Sequence, residues 1–179
     1  MARASRTGLR EQILDSASAS FASKGFLGTS LQDIARDAGC SKAALLYHFE
    51  SKMAILAELI RPGLDALAEL DRSVSRLRPE AAQRAAVEGF VDVAVRNRME
   101  CAVLFGNLSA LFDDPRLPEL RETAERLRGR LSAGSPDLER QLAALVALTG
   151  VAAACAEATD VADDDLRGAL LDITFRVLL

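Results

Sequence analysis

The 179-residue chain has no tryptophan and one tyrosine, and aromatic residues make up only 4% of it. A β-sandwich or barrel would need far more aromatic and β-branched side chains, and the Ala- and Leu-rich composition favours helices instead. There are three cysteines, Cys40, Cys101 and Cys155. They are odd in number, far apart and fit no metal-ligand spacing, so they read as buried, reduced thiols. The single histidine, His48, excludes a His-based zinc site or a Ser-His-Asp relay elsewhere in the chain without help from a partner chain. No phosphate-cradling glycine loop is visible, and no nucleophile lies beside a base. The chain is therefore not expected to be an enzyme, and no metal or cofactor is expected. The opening MARASRTGLREQ lacks the apolar stretch of a signal peptide, and a cytoplasmic location is expected. The longest apolar stretch, Leu142–Ala156, is fifteen residues, Ala-rich and interrupted by Gly150. It reads as too short and too weakly apolar to span a bilayer, so no membrane partner is expected.

What is present suits a folded domain. Half of the residues are hydrophobic and 27% are charged, enough for a core and against global disorder. The net charge of −4 is unevenly spread. Residues 1–52 carry a charge of +2 and hold all three lysines, Lys24, Lys42 and Lys52; residues 53–179 carry −6. A cationic head on an acidic body follows.

Apolar spacing and punctuation predict an all-α fold of about nine helices. The first spans about residues 7–24, with Leu9, Ile13, Ala17 and Phe21 on one face and Gly25 in the C′ position. Thr29 with Gln32, or Ser30 with Asp33, caps the second, which ends near Asp37. Ser41 caps a third and Ser51 a fourth. Pro62-Gly63 should kink or break the fourth. Further helices are expected over about 79–98, 100–112, 118–131, 137–158 and 163–177, with a loop at Asp113-Asp114-Pro115 and a linker at 132–136.

The most informative block is Thr29–Lys52. Two short helices are joined by a turn centred on Gly39, with small Ala35 before it and apolar Leu45 after it. Ala35 lets the second short helix cross the first closely, and Leu45 plugs the joint, as in a helix-turn-helix. The leading residues of the second of these helices, Ser41, Lys42, Ala43 and Ala44, are expected to enter a major groove, the slender side chains at 43 and 44 allowing close approach. Before the first helix lies an arm with Arg3, Arg6 and Arg10. Arms of this kind either reach a minor groove or stay as a disordered basic tail.

Gly25-Phe26, Thr29-Ser30, Ile34-Ala35, Ala38-Gly39, Ser41-Lys42-Ala43, Leu45, His48-Phe49 and Ser51-Lys52 together resemble the TetR family of bacterial transcription regulators over about residues 9–56. The resemblance implies a helix-turn-helix DNA-binding domain over 1–52 and a helical ligand-binding and dimerisation domain over 53–179. It implies a homodimer that binds a palindromic operator on double-stranded DNA, represses transcription and is released by a small-molecule effector. By the same resemblance, Thr29, Ser30 and Lys52 would meet phosphate. Ser41, Lys42, Ala43 and Ala44 would face base edges or nearby phosphates, and Tyr47 and His48 would touch the backbone. Phe26, Leu45 and Phe49 would be core plugs. The family commonly has tyrosine where this chain has Leu46, with Tyr47 next.

The body offers weaker signals. Ala143, Ala147, Gly150 and Ala154 form a stripe of small side chains that suits a helix–helix seam. With Leu166, Leu170, Ile173 and Val177 of the last helix, this stripe forms either an interior seam or a face for a second subunit. Phe90, Val93, Phe105, Leu108 and Phe112 are candidate lining for an apolar pocket, or plain core. Arg96, Arg98 and Glu100 are candidate polar contacts or a solvated helix end. A helical protein-interaction module and a helical enzyme are the competing readings.

Overall fold

The computed structural model describes residues 2–105, 111 and 117–179, the side chains of residues 2–7 and of Phe105 excepted. Among the described residues there are nine helices and no strand: α1 (Ala2–Gly28), α2 (Leu31–Asp37), α3 (Lys42–His48), α4 (Lys52–Val74), α5 (Pro79–Arg96), α6 (Arg98–Phe105), α7 (Pro118–Leu131), α8 (Leu138–Glu157) and α9 (Asp163–Leu178). The chain divides into two compact units, Met1–Arg61 and Pro62–Leu179. The sequence places the division at residue 52; the first unit also takes in the opening turns of α4.

In the first unit, Ile13 and Ala17 of α1, Ile34 and Ala35 of α2, Leu45 of α3 and Ile55 and Leu56 of α4 are wholly buried. Burying each such large aliphatic side chain stabilises the unit by about 1.5–3 kcal/mol. The first helix starts at Ala2, so Arg3 and Arg6 lie within helix rather than on a separate arm. Arg10 is a strut: it pairs with Glu58 at 2.8 Å and lies over the Phe49 ring. At Gly25 the backbone leaves the helix with φ 73° and ψ 163°, a conformation open to glycine and little else.

The expected interruption at Pro62 does not occur. Helix α4 runs through it to Val74. Proline removes one backbone hydrogen bond, and the apolar residues on both sides hold the helix together. Ile60 and Leu64 are buried.

In the second unit, α5, α7, α8 and α9 surround a core that includes Val87, Val91, Leu131, Ala144, Cys155 and Leu170. Gly89 of α5 admits Leu70 of α4: a Cβ there would lie 2.3 Å from Leu70 Cδ1. Polar ties cross the bundle. Asp71 accepts from Arg126 Nε at 3.0 Å and from Arg130 Nε at 3.1 Å. Buried Gln83 donates to the Leu131 carbonyl at 2.7 Å, satisfying the end of α7. Asn97 separates α5 from α6, and its side chain donates to the Val93 carbonyl at 2.7 Å. The expected loop at 113–115 lies outside the described residues.

Candidate nucleic-acid interface and apolar cavity

The turn between α2 and α3 begins with ordinary helical carbonyls being capped. Ala38 N donates to Ile34 O at 2.9 Å, Gly39 N to Arg36 O at 3.1 Å and Cys40 N to Ala35 O at 2.9 Å. Gly39 takes φ 68°, the left-handed conformation that reverses the chain there. Ser41 then starts α3, its hydroxyl accepting from Ala44 N at 3.1 Å. Leu45 faces inward with no exposure, so the opposite side of α3 is turned out. Ser41, Lys42 and Ala43 are exposed, and Ala44 is half-buried. Tyr47 is 75% exposed, with its ring edge-on to His48 at 5.4 Å. Leu46 is exposed too, so Tyr47 is the aromatic ring on this face. The outer side of α3 is thus short, polar and singly cationic, with one aromatic ring at its far end.

Three residues expected at phosphate are otherwise engaged. The Thr29 side chain is turned inward at 2% exposure, its hydroxyl shared between the carbonyls of Gly25 at 2.8 Å and Ser20 at 3.1 Å. It closes the bend that Gly25 opens. Ser30 caps α2 with a full capping box: its hydroxyl accepts from Asp33 N at 3.1 Å, and its own N–H donates to the Asp33 carboxylate at 3.2 Å. The hydrogen bonds from Ser30 hold that carboxyl below its usual pKa, so an anion already stands at the helix start. Lys52 donates to Thr29 O at 2.6 Å and to Phe26 O, and its ammonium lies 4.3 Å from the centre of the Phe26 ring. Burial lowers its pKa. Phe26 is half-buried and packs on Phe21. The bend between α1 and α2 therefore has a staple, which a motif read along the chain cannot reveal.

The second unit contains an apolar cavity of about 200 Å³. Leu64 and Leu67 of α4, Phe90 of α5, Leu104 of α6, Leu127 of α7 and Leu148 of α8 contribute to its wall. Phe90 was expected there. Val93 is half-buried but does not line this cavity. Leu108, Phe112 and the side chain of Phe105 lie outside the described residues. Arg98 does not act as a free polar contact: it donates to the carbonyls of Ala158 at 2.8 Å and Val161 at 2.9 Å and pairs with Asp163, holding the connection between α8 and α9. Arg96 pairs with Asp92 on its own helix. Burial pushes the Cys101 thiol up to about 12 and raises that of Cys155. No group of three or more metal-ligating residues occurs among the described residues.

The small-residue stripe divides by burial. Ala147, Leu166 and Leu170 are buried in the unit's own fold, while Gly150, Ile173 and Val177 are exposed. Ala143 and Ala154 are half-buried. Sequence spacing missed the larger exposed apolar residues of α8, namely Leu138, Leu142, Leu145 and Val146. By length and composition alone this helix is apolar enough to cross a membrane, contrary to the expectation from Leu142–Ala156. One such helix is also what a bundle with an open apolar face contains.

Residues 13–59 match the sequence model described as bacterial regulatory proteins, tetR family. The chain is 39% identical over 59 residues to the biofilm operon icaADBC HTH-type negative transcriptional regulator IcaR of Staphylococcus aureus, a match covering 33% of this chain and 32% of that one. It is 39% identical over 62 residues to the HTH-type transcriptional repressor KstR2 of Rhodococcus jostii, covering 35% and 30%. These matches thus span about a third of the curated relatives' length. Across nearly the whole chain the fold matches the crystal structure of the probable transcriptional regulatory protein RHA5900, with TM-score 0.73, 26% identity and coverage of 95% and 98%.

Proposed function

Because the chain belongs to the TetR family of transcriptional regulators, we propose that it is a cytoplasmic repressor that binds a palindromic operator as a homodimer and is released by a small-molecule effector. The observation that carries this reading is the outward face of α3, held by the left-handed turn at Gly39 with Leu45 buried behind it. Ser41, Lys42, Ala43 and Ala44 meet base edges, where Lys42 can donate to guanine and an alanine methyl can touch thymine. Tyr47 and His48 meet the phosphate backbone. Thr29, Ser30 and Lys52 serve the same interface indirectly, by fixing where α2 and α3 begin. IcaR and KstR2, a negative regulator and a repressor by name, support repression over activation.

The exposed apolar residues of α8, with Ile173 and Val177 of α9, support a second copy as partner. An uncovered face of this kind is costly in water, and a two-fold interface buries it twice. Two-fold symmetry would set two α3 helices at successive major grooves, about 34–36 Å apart. Helix α4 supplies the link between effector and operator. Its Leu64 and Leu67 line the apolar cavity, while its Lys52, Ile55 and Leu56 hold the first unit. An effector that favours the wrong spacing of the two α3 helices must weaken operator binding by linkage.

The test is a gel-shift assay with DNA from upstream of the chain's own gene, against a scrambled duplex of equal length. A sequence-specific shift is expected. Equal binding to both duplexes, or to neither, would favour a helical interaction module.

A further inference from the structure

We propose that the cavity in the second unit takes an uncharged, single-ring ligand of about ten non-hydrogen atoms, an inference that rests on the effector-release reading above. A cavity of about 150 Å³ lined by aliphatic and aromatic side chains stays dry and binds benzene. The present cavity, at about 200 Å³, has room for one ring with a short alkyl group. Four fused rings exceed this volume and would have to project past Leu145 and Thr149, where the wall reaches the surface.

Chemistry gives the second half. Among the described residues, the wall carries no charged side chain, and its polar groups are Thr123 and Thr149. Both hydroxyls are engaged in the protein. Thr149 Oγ1 donates to Leu145 O at 2.9 Å, and Thr123 Oγ1 accepts from Arg126 Nη2 at 3.1 Å. Arg126, the cation next to Thr123, is itself committed to Asp71 at 3.0 Å and to Glu122 at 3.4 Å. Among the described residues the wall offers no free positive charge to offset a buried carboxylate or phosphate, and an unpaired buried charge is heavily penalised. The Thr149 oxygen keeps a lone pair, so one ligand hydroxyl can be accommodated. The apolar wall therefore favours a neutral alkylbenzene or alkylphenol over anionic conjugates and steroids.

Isothermal titration of the full chain with 4-ethylphenol, 4-ethylbenzoate and a four-ring steroid tests this, with an operator gel shift run in parallel. Saturable binding of 4-ethylphenol is expected, with 4-ethylbenzoate at least about 100-fold weaker and no steroid binding. Ala152→Phe and, independently, Ala124→Leu should abolish the phenol heat while circular dichroism stays unchanged, because both side chains line the cavity. Benzoate or steroid binding as tight as the phenol would overturn the ligand class, while release of the operator by either would leave the effector reading standing. Phenol binding without any change in the operator shift would uphold the ligand class and remove the effector reading. No binding by any of the three would overturn the proposal.

Discussion

The large apolar side chains left in solvent differ between the two units. In the first, Leu27 stands alone on α1, and Leu46 and Tyr47 lie on the same helix as the exposed Ser41, Lys42 and Ala43. In the second, Leu138, Leu142, Leu145 and Val146 project from a single helix, with Ile173 and Val177 on the next. A polar surface dotted with slender side chains suits a charged, hydrated partner such as a DNA groove. A continuous aliphatic surface suits another protein surface of the same kind. One chain can thus carry two recognition chemistries, provided each has its own core to stand on.

The sharpest way to break that separation is to remove one core and watch the other. Leu45→Ala should cost the first unit about 2–5 kcal/mol, because it empties a fully buried site. Operator binding should vanish, while thermal melts followed by circular dichroism should keep the transition of the remaining helices. A single transition lost as a whole would mean that the units do not fold separately.

Next in size is the aliphatic face. Val146→Glu sets like charges against each other in a two-fold interface, and self-association should weaken roughly 100-fold or more. Sedimentation equilibrium should show a monomer with unchanged helicity. A dimer that survives the change would place the interface elsewhere.

A smaller effect separates contact from support within the first unit. Lys52→Met removes two charge-assisted hydrogen bonds to carbonyls, and should cost about 1.5–3 kcal/mol of stability. The dependence of operator affinity on salt should keep its slope. Lys42→Ala, on an exposed side chain, should leave stability alone. Where Lys42 neutralises a phosphate, the slope falls by about 0.9. Reversed behaviour of the two variants would return Lys52 to the DNA contacts.

The smallest effect concerns the thiols. Cys101 is raised to about 12 in the fold but ionises from its ordinary value near 9 once unfolded. Between those values the unfolded chain holds fewer protons than the native one, so stability should fall as pH rises through that window. Urea melts at pH 8, 9 and 10 should show the decline, and Cys101→Ala should reduce it, leaving the part that Cys155 contributes. Alkylation at pH 8 should mark the partly exposed Cys40 well before the two buried cysteines.

How much of this could be read along the chain follows from where the physics is local. Capping at Ser30 and Ser41, the left-handed turn at Gly39 and the plug at Leu45 depend on neighbours a few residues away, and all are visible in the spacing. So is the tight packing at Ala35. Pro62 was misleading because tertiary packing on both flanks outweighs one lost hydrogen bond. The engagement of Lys52 is invisible along the chain for a different reason: its partners, Phe26 and Thr29, are more than twenty residues away. In the second unit most decisive contacts are of that long-range kind. Asp71 with Arg126 and Arg130, Gly89 with Leu70, and the sorting of Leu166 and Leu170 into the core carry no local signature.

Selection of bound duplexes from a random pool tests most directly whether α3 reads base pairs twice per assembly. The account predicts recovery of a palindrome whose half-sites are centred about one helical turn apart, with Lys42→Ala relaxing the preference at one symmetric pair of positions. Recovery of no common sequence at low ionic strength, or of a palindrome indifferent to every substitution from Ser41 to Ala44, would contradict it.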